Sequence, residues 1–440
     1  MPLILISCLF LGVVSCVGEQ EQEQGDVESY SWVRGCNYIP FYAANDVTLW
    51  RDFDHEVIDR ELGFAARLNL NCVRVFLQYV VFEHDPQGFL ESFEHFLELS
   101  ESHGLRVMPV LFDSCFGEEP RLGSNHGWVA NPGYRRLAME YREDLDTYLT
   151  AIVGRFGGDR RILLWDVMNE PEQTPQYWEI MGRLRIESFL VWASTRVREL
   201  DPTHPRTIGT AGKILGMRGR ASLQDVLSFH CYEPEPEFSM RLREAEELAE
   251  ELGKPVLLTE CVRPRQGQAY SMTFEALSRS QIGWFFWELM ENRVDFTAGQ
   301  GVFFPDGAAR LEAAAAVRGE APEDLEGFAS YPLSFTAADR ELLLHWKSKP
   351  TPVERYASRA IWARILLVRL HKARNLQSFA RYMETWNEAE RFYELGDIAK
   401  AAETLDGLLG QIEPVVRTWS GSQGAGSERG LTADEEERPR

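Results

Sequence analysis

Between residues 33 and 289 the chain repeats one pattern, a short apolar run followed by a longer stretch with helical spacing of its apolar residues. The runs are VRGCNYI (33–39), CVRVFL (72–77), LRVMPVLF (105–112), ILLWDVM (162–168), RTIGT (206–210), DVLSFHC (225–231), PVLLTE (255–260) and GWFFWEL (283–289). Helical patterns occupy 57–70, 89–104, 134–156, 177–199, 238–252 and 270–281, and 310–318 supplies a last helix. Continuous apolar strands separated by helices describe a parallel sheet covered on its outer face. Eight such units close naturally into an α/β (β/α)8 TIM barrel. A doubly wound open sheet is the alternative, but no Gly-rich dinucleotide fingerprint follows the first strand.

The remaining segments flank this barrel, which spans 28–320. Residues 1–18 read as a signal peptide: LILISCLFLGVVSCV is apolar and too short for a comfortable membrane span. No Lys or Arg precedes Arg34, and VVSC ending at Cys16 resembles a bacterial lipoprotein signal, so a membrane tether through a lipidated Cys16 is an expectation. The chain is therefore expected to be exported, as a periplasmic, cell-surface or secreted protein. Residues 339–417 carry only helical patterns and read as a small α-helical appendage, a brace or an interaction module for an unknown protein; its last part resembles a helical hairpin around Gly396. Residues 418–440 are rich in Gly, Ser, Glu and Arg and read as a disordered tail.

Charge and cysteines narrow the partners. With 46 basic against 68 acidic residues the net charge is −22, which disfavours nucleic acid and anionic membrane but does not repel a neutral polysaccharide. After the signal segment five cysteines remain, Cys36, Cys72, Cys115, Cys231 and Cys261. An odd number in or beside apolar runs fits buried free thiols rather than a disulfide framework. No metal or cofactor is expected: HExxH, CxxC and GxSxG are absent, and the histidines are scattered.

Two apolar strands end in a carboxylate. WDVMNEP (165–171) delivers Asn169 and Glu170 to the loop face, and KPVLLTEC (254–261) delivers Glu260. The separation, 260 − 170 = 90 residues, spans three strand–helix units, so the two lie on strands four and seven, roughly across the barrel mouth. Glycosidic hydrolysis needs two facing carboxylates: one protonates the leaving oxygen while the other attacks or activates water. An acid of this kind is expected to have its pKa raised, by burial and by the second carboxylate.

On these motifs, over roughly residues 32–310, the chain resembles clan A of the glycoside hydrolases, close to the family 5 cellulases and mannanases. The resemblance implies Glu170 as acid/base, Glu260 as nucleophile and retention of configuration, with the carboxyls about 5–5.5 Å apart. It also implies that Arg74 in CVRVF supports the nucleophile, that Asn169 meets the sugar 2-hydroxyl, that His230 and Tyr232 in SFHCYEP flank the nucleophile, and that Trp287 in WFFWE floors the sugar site. Asp113 departs from the family, many of whose cellulases carry His at the end of strand three. Trp128, in SNHGWVANPG, is a candidate outer sugar platform, and Glu233, Glu235 and Glu288 add carboxylates near the rim. The expected function is a retaining hydrolase of β-linked mannan, xylan or glucan, with a transglycosylase on the same machinery and a non-catalytic glycan-binding barrel as rivals.

Overall fold

Strand formation follows the apolar runs. The computed structural model describes residues 29–423 apart from 139–141, 213, 295–299, 305–306, 329–351 and 373–375. Its eight strands close in sequence order into one parallel barrel. They are β1 (Arg34–Asn37), β2 (Cys72–Phe76), β3 (Arg106–Val110), β4 (Trp165–Asn169), β5 (Arg206–Ala211), β6 (Leu227–Cys231), β7 (Val256–Cys261) and β8 (Gly283–Phe286). Closure is direct: Cys36 of β1 lies opposite Phe286 of β8, and Asn37 lies opposite Arg74 of β2. Every residue of β2, β4, β6, β7 and β8 is buried. That double burial is why the runs show no apolar–polar alternation, since inward side chains fill the barrel and outward ones meet helices. Val33, Met108, Leu164, Leu257 and Phe285 belong to a separate apolar cluster from the main core.

Local chemistry places the helices between them. Asp54 caps His55–Arg67 by accepting from the N–H groups of Glu56 and Val57, and Asp85 followed by Pro86 starts Pro86–Ser102. Gly253, at φ +60°, ends Glu237–Leu252. Of the helix expected over 134–156, the described residues are helical at Tyr134–Ala138 and Arg142–Leu149, and the turn Thr150–Gly154 widens into a π-helix. Between β5 and β6 the described residues form the short helix Ile214–Gly219 and a 3-10 turn.

Among the described residues three further helices follow the barrel, Pro352–Lys372, Leu376–Glu394 and Ile398–Gln423. The last two form a hairpin around Gly396, whose φ of +80° suits a residue without Cβ. The final helix runs to Gln423, so residues 418–423, expected to be disordered tail, are helical. The signal segment with Cys16 and residues 424–440 lie outside the described residues. Among the described residues no helix is long and apolar enough to cross a membrane. The five cysteines are free, all buried except half-buried Cys115.

Candidate active site

The C-terminal ends of the strands converge on one mouth, and two of them are distorted there. Pairing between β4 and β5 shifts register between Asp166 and Asn169, and Glu170 leaves β4 in the left-handed region at φ 38°. Pairing between β6 and β7 shifts between Phe229 and His230, which sets His230 opposite Glu260. Val262, just past β7, has φ 80°. Left-handed backbone at a glutamate or a β-branched residue costs about 1–3 kcal/mol, and it persists only where the surroundings enforce it. Irregularities of this kind re-aim side chains at functional sites.

Arg74 is the hub of the floor. It is fully buried, and each of its five N–H donors is used. Nη1 donates to Glu260 Oε1 at 2.6 Å and to Asn37 Oδ1 at 2.8 Å. Nη2 donates to Asp166 Oδ2 at 2.9 Å and Asn169 Oδ1 at 2.8 Å, and Nε to Asp166 Oδ2 at 3.1 Å. The Tyr232 hydroxyl donates to the other oxygen of Glu260 at 2.6 Å, so that carboxylate is gripped on both sides. Gly209 of β5 leaves room for the cluster: a Cβ there would stand 3.0 Å from His230 Nε2 and 3.3 Å from Arg74 Nη2.

Glu170 faces this floor. Its Oε1 lies 2.6 Å from His230 Nδ1, and the Cys115 thiol donates to its Oε2 at 2.8 Å. The same His230 nitrogen is 3.4 Å from Glu260 Oε2, and the nearest oxygens of the two glutamates lie within 4.8 Å of each other. The raised acid expected from the sequence is not the resting state. Burial does push the Glu170 carboxyl up, but His230, Cys115 and Arg74 outweigh it, and the net direction is down. For His230 burial acts downward, yet Glu260 and Glu170 together lift it. The contact that lowers Glu170 is the one that lifts His230, so a single hydrogen bond links the two groups along a path a proton can take. Glu170, His230 and Glu260 each offer a ligand atom, all within 4.8 Å, so a cation would fit sterically. The Arg74 guanidinium already paired to Glu260 opposes a second positive charge there.

Asp113 and Trp128 are placed differently from the direct sugar contacts expected of them. Asp113 is 1% exposed. Its Oδ1 accepts from Cys115 N at 2.9 Å and Asn169 Nδ2 at 3.0 Å, and its Oδ2 accepts from Trp128 Nε1 at 2.6 Å. It thus fixes three neighbours at once, and it sets the Asn169 amide with oxygen toward Arg74 and nitrogen toward itself. Burial lifts the Asp113 carboxyl to about 7, against the pull of those three donors. Trp128 is 9% exposed, packed edge-on against Phe76 and Trp287 with ring centroids 5.2 and 6.1 Å away. Trp284, three residues before Trp287, instead packs outward on Phe274. Glu288 is buried and accepts from Asn292 Nδ2 at 2.7 Å, whereas Glu233 and Glu235 lie at the rim.

The structure thus brings Arg74, Asn169, Glu170, His230, Tyr232 and Glu260 into one hydrogen-bonded cluster, with Asp113, Trp128 and Trp287 beside it. Four participants escaped the sequence reading: Asn37, Asp166, Gly209 and Cys115. Asp166 had a signal, because a carboxylate inside the apolar run ILLWDVM demands a buried cation. Cys115 had none, since its partner lies 55 residues away.

The cellulase model, glycosyl hydrolase family 5, matches residues 60–293, more than half of the chain. No curated protein sequence matches the chain. Among solved structures it is similar to the GH5_18 protein of Streptomyces cattleya in complex with GlcNAc, at 16% identity and TM-score 0.51, covering 74% of this chain and 91% of that one. It is similar as well to the exo-β-1,4-mannosidase Op5Man5 from Opitutaceae bacterium strain TAV5, at 18% identity and TM-score 0.49, covering 77% and 68%.

Proposed function

The chain belongs to glycosyl hydrolase family 5, and from that premise we propose that it is a retaining β-glycosidase in which Glu260 is the nucleophile and Glu170 the acid/base. The observation that supports this most is the pair itself, with carboxylate oxygens within 4.8 Å and one imidazole between them. Inverting enzymes leave room for a water between the carboxyls, at about 6.5–9.5 Å. In the first step a Glu260 oxygen bonds to the anomeric carbon while the glycosidic C–O bond breaks. The leaving oxygen takes from Glu170 a proton that Glu170 has first drawn from His230, so the step ends with Glu170 a carboxylate and His230 neutral. In the second step Glu170 takes a proton from water and passes it back to His230, the water oxygen bonds to the anomeric carbon, and the Glu260 ester breaks to regenerate the carboxylate. Asn169, with its amide orientation fixed by Arg74 and Asp113, presents its nitrogen to the sugar 2-hydroxyl. The substrate is a β-linked glycan of the mannan, xylan or glucan class. The chain acts after export, as the leader-like residues 1–18 suggest.

Azide rescue with an activated aryl β-glycoside tests the two roles separately. Glu170→Ala should still form the glycosyl-enzyme, stall at its hydrolysis and regain turnover with azide, giving the β-glycosyl azide. Glu260→Ala should be inert until azide enters from the vacated face, giving the α product. The reverse pattern of products would exchange the assignments.

A further inference from the structure

The side of the mouth that receives the glycone is built into the C-terminal helices, and this bears on where a polysaccharide can be cut. The inference rests on the roles proposed for Glu170 and Glu260. Because Glu170 protonates the bond's oxygen, the leaving group lies on its side, beside Cys115 and the segment after Pro171. The glycone lies beyond Glu260, against Phe76, Trp287 and Trp128. Those three rings pack mutually at 5.2, 5.9 and 6.1 Å and are between 2% and 9% exposed, so they form a wall and not an open stacking track.

Both ends of that wall are bolted to the helical bundle. Past Trp287, Arg293 is buried with its guanidinium 3.9 Å from the Tyr393 ring centroid and 4.7 Å from that of Tyr356. Its backbone N–H also reaches Ala43 O at 3.3 Å, in the loop after β1. Before Trp128, His126 Nδ1 meets Glu390 Oε2 of the bundle at 3.5 Å. Gly127 O accepts from Asn45 Nδ2 at 2.9 Å. Glu390 in turn accepts from the Tyr356 hydroxyl, so one bundle carboxylate ties the loop after β3 to the residues that clasp the loop after β8. A π-stacked, desolvated guanidinium with a carboxylate nearby holds a fixed docking geometry.

Among the described residues, the opposite side carries exposed rings instead. Phe116, next to Cys115, is 71% exposed, and Trp178 is 75% exposed. We infer that the bundle closes the glycone end of the cleft, so that the enzyme takes the non-reducing ends of β-glycan chains and releases sugar from those ends instead of cutting internally.

The test uses the full-length protein. Aryl β-glucoside, β-mannoside and β-xyloside come first, because inertness toward all three counts against the glycosidase reading and not specifically against the closed end. On a protein that cleaves one of them, the matching cellohexaose, mannohexaose or xylohexaose, labelled at the reducing end, should be shortened stepwise from the unlabelled end. Labelled products of every length from the first time points would overturn the inference. Glu390→Lys places a cation beside Arg293 and His126, and it should raise internal cleavage several-fold while aryl glycoside turnover holds. Tyr393→Ala removes the stacking partner by a different route and should do the same. Two folded variants, each with a loosened bundle by limited proteolysis and an unchanged product pattern, would refute the bundle's part in closing the cleft.

Discussion

The two arcs of the barrel mouth are built on opposite principles. On the arc running from β8 through β1 and β2 to the end of β3, three buried charged groups are held by several protein partners each: Arg74 spends all five donors, Asp113 meets three N–H groups, and Arg293 is sandwiched by tyrosines. On the arc from β4 to β6, large apolar side chains stand in water, with Trp178 at 75%, Ile180 at 73% and Leu215 at 77% exposed. Preorganisation on the first arc suits the sugar ring that changes charge, because fixed donors stabilise a transition state only if they need not move. Exposure on the second suits a leaving group that must arrive and depart. The contrast predicts that substitutions of the partnered groups on the first arc cost stability and turnover together, and that those of the exposed apolar side chains on the second touch only affinity.

The largest effect should come from Arg74. Arg74→Met leaves the Asp166 and Glu260 carboxylates buried without their cation, a class of change that costs about 3–5 kcal/mol. Denaturant unfolding should report that loss, and kcat/KM should fall by at least about a thousandfold as Glu260 loses its orientation. A variant near wild-type in both would dissolve the distinction between the arcs.

Asp113 should give the next largest effect, and it carries a pH signature. Asp113→Asn retains the shape but replaces an acceptor oxygen by a donor, leaving at least one of Cys115 N, Asn169 Nδ2 and Trp128 Nε1 unpaired, for about 1–3 kcal/mol. The Asp113 carboxyl is lifted to about 7, above the unfolded value of a carboxylate. The fold therefore binds its proton more tightly than the unfolded chain does. The stability this contributes is complete at low pH and is lost as pH rises through about 7. The stability difference between variant and wild type should accordingly change across that window and flatten outside it. Activity runs the other way, since only the ionised carboxylate accepts all three donors. The wild-type kcat/KM should fall on acidification through about pH 7, and that step should be missing from the Asn variant. A 2-deoxy aryl glycoside, which has no 2-hydroxyl to meet Asn169, should show a smaller difference between the two proteins.

The same contrast explains what could be read from the chain. Strands, their order and the two glutamates were legible because each depends on a local pattern, an apolar run that stops at a polar residue. Arg74, His230 and Tyr232 were reached through the family resemblance of CVRVF and SFHCYEP. The role of Asp113 was not, because its partners are set by a loop that returns Trp128 fifteen residues later. Nor was the docking of the bundle: Arg293, His126, Tyr356 and Glu390 come from four separate stretches, and none carries a periodicity that announces the others. The π turn at Thr150–Gly154 was not legible for a local reason, since it keeps the apolar spacing of an ordinary helix while changing its hydrogen bonds.

The smallest effect, and the sharpest discriminator, is expected at Trp178. Its ring is exposed, yet its base is fixed: Tyr177 packs edge-on against it at 6.1 Å. The Tyr177 hydroxyl meets Glu187 Oε1 at 3.3 Å, and Arg220 joins Glu187 at 2.7 Å and also pairs with Glu172, two residues after Glu170. A flat apolar face, tied through these residues to the segment that follows Glu170, is suited to stack a sugar of the leaving group, at little cost in entropy. Trp178→Ala should leave stability within about 0.5 kcal/mol, as for other exposed substitutions away from packed features. Aryl glycosides, which place no sugar there, should be turned over as by the wild type. Oligosaccharides should lose about 0.5–1.5 kcal/mol of binding, a roughly two- to tenfold rise in KM with kcat nearly constant, because such a contact acts on ground and transition states alike. An equal loss on aryl glycosides would place Trp178 with the fixed arc and break the comparison. No change on oligosaccharides would move the leaving group's path toward Phe116, where the same pair of substrates can be tried with Phe116→Ala.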